Sequence, residues 1–224
     1  VANRLTADPA IRVLLLEAGG KADALKYKVP ALGPLTCLGD PEADWNFATE
    51  PDPSRGGRTD FWPRGRGLGG SSATNAMMWY RGHPLDYDAW GSAGCDGWSF
   101  AECLPFFKRA EDWQGGESEF RGAGGPLRIE TSKNLHPVAQ AMLDGSAELG
   151  IPVIDDPNGA SNEGAAPANF NISDGKRWSS VTGYLAPVLD HPRLTILTDS
   201  LTTGLILENG RCTGIRHLVD GKLT

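Results

Sequence analysis

Ile11-Arg-Val-Leu-Leu-Leu16 is a near-continuous apolar run that stops at Glu17 and the pair Gly19-Gly20. A segment apolar on both faces belongs in the middle of a parallel sheet with helices on either side. Val1–Leu5 reads as the last turn of a helix, broken by Asp8-Pro9. Helix end, tight turn, buried strand and closing acid make up the second half of a βαβ unit. In dinucleotide-binding folds that acid takes the ribose hydroxyls about 20 residues after a glycine fingerprint. Counting back from Glu17 puts the fingerprint ahead of Val1, so the sequence is expected to begin inside such a unit.

Further along, residues 21–62 lack periodicity and are rich in Pro, Gly and Asp, which suggests a looped excursion. Helices are expected over Phe100–Ala110 and Pro137–Leu149, and a strand over Pro126–Glu130. Ser179 or Ser180 caps an expected helix carrying Val181, Tyr184, Leu185, Val188 and Leu189. Leu194–Thr198, Gly204–Leu207 and Cys212–Leu218 read as strands of an antiparallel meander, with a turn at Glu208-Asn209-Gly210-Arg211. Another turn, Asp220-Gly221, leads toward a further strand, so the end is also expected to be a cut.

Composition narrows the functions. With 29 glycines and 16 prolines among 224 residues, the chain is loop-rich without reaching low-complexity levels. A net charge of −7 argues against a nucleic-acid partner, which requires clustered cations. Val13–Leu16, the longest strongly apolar stretch, is too short to cross a bilayer. Cys37, Cys95, Cys103 and Cys212 are scattered without a C-x-x-C pair, which fits reduced, mostly buried thiols and a cytoplasmic setting. His83, His136, His191 and His217 have no spacing that suggests a triad or metal site; surface or capping roles are expected.

The densest motif runs from Arg64 to Gly82: RGRGLGGSSATNAMMWYRG. Four glycines in the six positions 65–70 allow backbone conformations closed to other residues and let a ligand approach the main chain. Ser71 and Ser72 offer caps for a following helix, whose free amides suit an anionic ligand. No Gly-Lys-Ser/Thr follows, so this is not a Walker loop. On glycine density alone, a turn that merely packs a helix closely is an equal reading.

The order of residues resembles the first signature of the glucose–methanol–choline (GMC) family of FAD-dependent oxidoreductases. The match runs from Gly65-Arg66 through Leu68–Ser72 to Asn75, then Trp79, Gly82 and Asp88. Thr74 departs from it, where an aliphatic residue is usual. Val1–Gly20, Asp44-Trp-Asn-Phe, Phe61-Trp-Pro-Arg, Asp86-Tyr-Asp-Ala-Trp90, Gly124-Gly-Pro126 and Arg177-Trp-Ser-Ser180 stand in family order. The resemblance thus covers nearly the whole chain and is strongest to bacterial choline and aliphatic-alcohol dehydrogenases.

The resemblance implies an α/β fold: a Rossmann-like FAD-binding domain from residues 1–95 and 180–224, lacking its first strand and phosphate loop, a substrate-domain segment over 96–179, and a C-terminal antiparallel meander. It places Glu17 and Ala18 at the adenosine ribose and Trp45 near adenine. Gly65, Arg66, Gly67, Leu68, Gly70 and Ser71 would lie around the pyrophosphate and flavin. Asn75, Ala76, Met77 and Met78 would form a helix start under the flavin ring, and the main chain of Thr202 would meet adenine. Some members attach FAD through a histidine at the position of Thr74, so threonine implies non-covalent FAD. The substrate would be a small primary alcohol. The histidine base that takes its proton would lie C-terminal to this chain, which alone is expected to be inactive. Other readings are a solvated strand end for Glu17, a core role for Trp45, backbone satisfaction by Asn75, and packing for the methionines. A lyase on the same scaffold and a non-catalytic cofactor-binding module remain alternatives to redox chemistry.

Overall fold

The computed structural model describes residues 1–132, 134–219 and 221–224. The chain divides into two compact units, 1–76 with 175–224, and 77–174. The sequence reading placed the corresponding borders at 95 and 179.

In the first unit, Val13–Leu16 pairs in parallel with Leu194–Leu197, Val13 opposite Leu194 and Leu16 opposite Leu197. The expected burial of both faces is not met: Leu14 is 52% exposed. The sheet is two strands wide among the described residues. Leu194–Leu197 therefore belongs to this parallel pair and not, as expected, to the antiparallel meander, whose three strands are Ser200–Glu208, Arg211–Val219 and Lys222–Leu223. Its first turn takes positive φ at Asn209 (51°) and Gly210 (75°), the hand that matches strand twist. The second expected turn involves Asp220, which lies outside the described residues.

Several expectations need correction. Residues 21–62 hold the short helices Leu25–Lys28 and Leu32–Thr36 and the antiparallel pair Phe47–Ala48 with Phe61–Trp62. The helix after the glycine run is only Ser71–Thr74, so Asn75 closes it rather than starting it. Gly70 occupies its N-cap without a side-chain bond, so neither serine caps it and the helix-terminus argument for an anion falls away. The helix expected after Ser180 is a π turn, Val181–Leu185, followed by a 3-10 turn, Ala186–Val188. Pro187 has no N–H to continue an α-helical ladder. Of the four cysteines only Cys37 is buried; Cys95 and Cys212 are exposed.

In the second unit, Phe100–Ala110 forms the expected helix, opened by a capping box in which the Ser99 N–H and hydroxyl both donate to Glu102 Oε2. Pro137–Glu148 forms the other long helix. His83 and His136 accept from the N–H two residues on, each starting a helix ahead of a proline. Glu111–Trp113 runs parallel to Leu127–Thr131, which pairs antiparallel with Asn169–Phe170.

The core of this unit is ionic. Glu111 is fully buried and its Oε1 accepts from Arg81 Nη2, Arg121 Nε (2.9 Å) and Gly122 N (2.8 Å). Its Oε2 accepts from Trp79 Nε1 at 3.1 Å and Arg121 Nη2 at 3.2 Å. Arg121 also reaches Asp156 (2.7 Å) and Asn169 (2.9 Å) and lies 3.8 Å from the Trp113 ring centroid. A carboxylate facing two guanidiniums, with a second carboxylate alongside, leaves the group close to neutral, which is the condition for burying charge.

Candidate functional site

The site in the first unit is built where the glycine loop meets the end of the parallel strand. Glu17 Oε1 accepts from the N–H groups of Gly19 and Gly67, both at 2.9 Å. Leu68 N donates to the Gly20 carbonyl at 3.0 Å, and Arg66 Nη2 to the Ala18 carbonyl at 3.2 Å. Two of these loops touch main chain to main chain. A Cβ on Gly19 would lie 2.6 Å from Gly67 N, and one on Gly65 would lie 2.5 Å from the Gly70 carbonyl carbon and 2.7 Å from Ser71 N. Both positions therefore require glycine for space. At Gly67 the requirement is conformational, with φ of 134°.

The loop is held from behind by Asp44, which is buried. Its Oδ1 accepts from Asn46 N and Arg64 N, and its Oδ2 from Gly39 N. Burial alone would raise this carboxyl, but the three N–H donors outweigh it and hold the pKa below the ordinary 3.8. Its contribution to stability is therefore complete above pH ~4 and is lost as the pH falls through the lower folded value. Asp44→Asn turns an NH₂ toward the Gly39 N–H and is expected to cost roughly 1.5–3 kcal/mol at pH 7. Thermal melts from pH 7 to pH 2 check this, the gap between variant and wild type closing at the acid end.

Around the loop, Trp45 stacks on Phe47 with ring centroids 5.7 Å apart, and the Arg66 guanidinium sits 5.6 Å from the Trp45 ring. Ser71 Oγ accepts from Gly65 N at 3.1 Å, and Ser72 Oγ donates to the Gly69 carbonyl at 2.6 Å and accepts from Ser180 N at 3.0 Å. The serines thus close the loop on itself.

Beside Glu17 opens a cavity of about 370 Å³, lined by Leu16, Glu17, Leu68, Gly69, Ser180 and Tyr184 among others. Glu17 Oε2 takes no hydrogen bond from the described residues, which leaves it as an acceptor for ligand hydroxyls. Arg66 Nε is buried and unpartnered. The cavity is walled by a mixture of apolar side chains, the Gly69 backbone and the polar groups of Asn3, Ser180 and Tyr184, with Glu17 as its anionic acceptor.

The structure brings Glu17, Ala18, Trp45, Gly65, Arg66, Gly67, Leu68, Gly70 and Ser71 together on this loop pair. Asn75 and Ala76 end the first segment of the same unit and are exposed. Met77 and Met78 belong to the second unit; Met77 is buried with a left-handed backbone, φ 62°. Thr202 is exposed on the meander opposite His217 and does not line the cavity. Sequence reasoning singled out neither Gly69 and Tyr184 on the cavity wall nor Asp44 and Arg177 behind the loop as site residues.

Comparison with known proteins places this geometry. The pattern of the GMC oxidoreductase family matches residues 13–223. The mitochondrial choline dehydrogenase of Mus musculus is 40% identical over 228 residues, covering 99% of this chain and 38% of its own length. The oxygen-dependent choline dehydrogenase of Brucella anthropi is 39% identical over 225 residues, covering 96% of this chain and 39% of its own. These 224 residues therefore span about two fifths of the length of the curated relatives they match. Among solved structures, pyridoxine 4-oxidase from Mesorbium loti superposes with a TM-score of 0.92 at 36% identity, covering all of this chain and 44% of the oxidase. A formate oxidase at 23% identity and TM-score 0.86 shares the fold. With the family pattern running almost end to end and the glycine loop seated on a strand-end glutamate, the chain belongs to the GMC oxidoreductase family.

Proposed function

We propose that these residues form the cofactor-binding part of an FAD-dependent oxidoreductase that oxidises the CH–OH group of a primary alcohol. The observation that carries this reading is the Glu17 clamp on Gly19 and Gly67 beside an open cavity. Oε1 fixes the loop, and Oε2 is left to accept from the two ribose hydroxyls. Trp45 stands near the adenine end, the backbone of Gly65–Leu68 and Gly70–Ser71 follows the pyrophosphate and flavin, Asn75–Met78 lies against the flavin, and the main chain of Thr202 meets adenine. FAD when bound supplies the two-electron acceptor for the hydride of the alcohol carbon. The residues of this chain bind and orient. The hydroxyl proton passes to a base on another part of the protein.

The choline dehydrogenases among the relatives support a small primary alcohol as substrate. The test uses the protein expressed from its complete reading frame. It is expected to purify yellow, and anaerobic addition of choline or another short primary alcohol is expected to bleach the flavin absorbance. An FAD-loaded protein that no primary alcohol of a broad panel bleaches would overturn the assignment. Because Thr74 offers no imidazole for a covalent bond, acid precipitation is expected to leave the flavin in the supernatant. A flavin-modified peptide spanning residues 64–82 would contradict that.

A further inference from the structure

The chain passes from the parallel strand into the meander through Asp199, whose backbone is left-handed at φ 56°. Two main-chain bonds tie this corner to the strand end that carries Glu17. Asp199 N–H donates to the Gly19 carbonyl and Ser200 N–H to the Glu17 carbonyl, both at 2.9 Å. Ser200 is 1% exposed, and its hydroxyl lies 2.6 Å from His217 Nδ1 on the neighbouring strand. A buried hydroxyl needs a partner, and the imidazole supplies it. His217, expected at the surface or at a cap, is instead half-buried within the meander.

The same bonds fix the direction of the main-chain groups that follow. In an antiparallel strand the N–H and C=O of one residue point to the same side, and the side alternates along the chain. Ser200 turns its N–H away from the strand Arg211–Val219 and toward Glu17, so Thr202 turns both of its groups that way. The residue opposite Thr202 agrees. It is His217, whose N–H donates to the Thr224 carbonyl at 3.1 Å and whose carbonyl accepts from Thr224 N at 2.8 Å, on the far side of its strand. Ser200–Glu208 is an edge strand of its sheet. That edge therefore presents a donor and an acceptor on one residue, about 7 Å beyond the contact with Glu17. Adenine carries an acceptor, N1, beside a donor, the N6 amino group, and so complements the pair. Hypoxanthine reverses both, with N1–H beside a carbonyl oxygen.

We propose that Ser200 and His217 are positioning residues for recognition of the cofactor's base. Their hydrogen bond holds the meander edge in register with the Glu17 strand end, so that the main chain of Thr202 reads adenine while Glu17 takes the ribose. The inference rests on the placement of ribose and adenine proposed above. Without the bond, the edge is free to pivot about Asp199, and the Thr202 groups lose their aim at the base.

The test titrates two dinucleotides, FAD and its analogue with hypoxanthine in place of adenine, into the apo-form of the protein from the complete reading frame. Wild type is expected to prefer FAD at least about tenfold, since a site built around hydrogen bonds rejects a ligand that leaves them unmade. Ser200→Ala and His217→Leu are each expected to cut that preference about fivefold, in the range for one hydrogen bond. His217→Asn, whose amide stands where Nδ1 does, restores it, whereas His217→Gln does not. A wild type that binds both dinucleotides alike overturns the adenine placement and this role with it. A wild-type preference that survives Ser200→Ala and His217→Leu overturns the role of the pair and leaves the placement standing. Equal weakening of both dinucleotides makes the pair a merely structural contact and also rejects the proposal. Should Ser200→Ala and His217→Leu fail to fold, His217→Asn and His217→Gln decide: equal preference in the two rejects the proposal.

Discussion

Glu111→Gln is expected to destabilise the second unit by about 3–5 kcal/mol, the range for breaking a buried ion pair from one side. The carboxylate receives five hydrogen bonds, from Trp79, Arg81, Gly122 and two nitrogens of Arg121. The amide keeps the shape but turns an NH₂ toward one set of donors. It also leaves Asp156 alone to balance two guanidiniums, of which Arg121 is almost completely buried. Denaturant unfolding should show the midpoint falling while the slope holds, as for a change in stability without a change in exposed surface. A loss below about 1 kcal/mol would mean that water reaches the cluster and screens it.

Gly65→Ala is the second large effect. Its methyl would overlap the backbone of Gly70 and Ser71, and backbone cannot rotate away as a side chain tip can. Overpacking costs about 1–3 kcal/mol, and relief here means opening the glycine loop, so FAD affinity is expected to fall more than tenfold. Gly19→Ala should do the same from the other side, pressing on Gly67 N and Arg66. Gly145→Ala is the matching control. It lies inside the helix Pro137–Glu148 with nothing within 4 Å of the added carbon, and should gain stability by about 0.5–1 kcal/mol without touching FAD binding. Equilibrium dialysis with FAD and a thermal melt on each variant check the set. Equal FAD affinity in Gly65→Ala and Gly145→Ala would contradict the loop's role.

How much of this was legible follows from sequence distance. Phe100–Ala110 was readable because Ser99 and Glu102 carry a local start signal, and the meander because Asn209-Gly210 encodes its turn. The helices Leu25–Lys28 and Leu32–Thr36 were not, since one turn has no period to detect. Glu17 and the glycine loop were each visible as motifs, but the hydrogen bond joining them spans 50 positions and belongs to the fold. Glu111, Arg121 and Asp156 carry no motif in the sequence, and their pairing, across 10 and 35 positions, belongs to the fold. Arg177 stood out only as part of a family segment, and its close approach to Gly33 is visible only in three dimensions.

The central claim is that Glu17 divides its carboxylate between protein and ribose, and Glu17→Gln separates the two halves. The amide oxygen can still accept from Gly19 and Gly67, so the loop stays seated, while the second acceptor becomes a donor. Charge-assisted bonds of this kind contribute roughly 1.5–3 kcal/mol each. FAD titrated into the apo-form of the protein from the complete reading frame should bind at least about tenfold more weakly in the variant, equivalent to ~1.4 kcal/mol. The melting temperature without FAD should stay close to wild type. An unchanged dissociation constant would contradict the ribose assignment, and a large loss of apo-protein stability would make Glu17 a purely structural clamp.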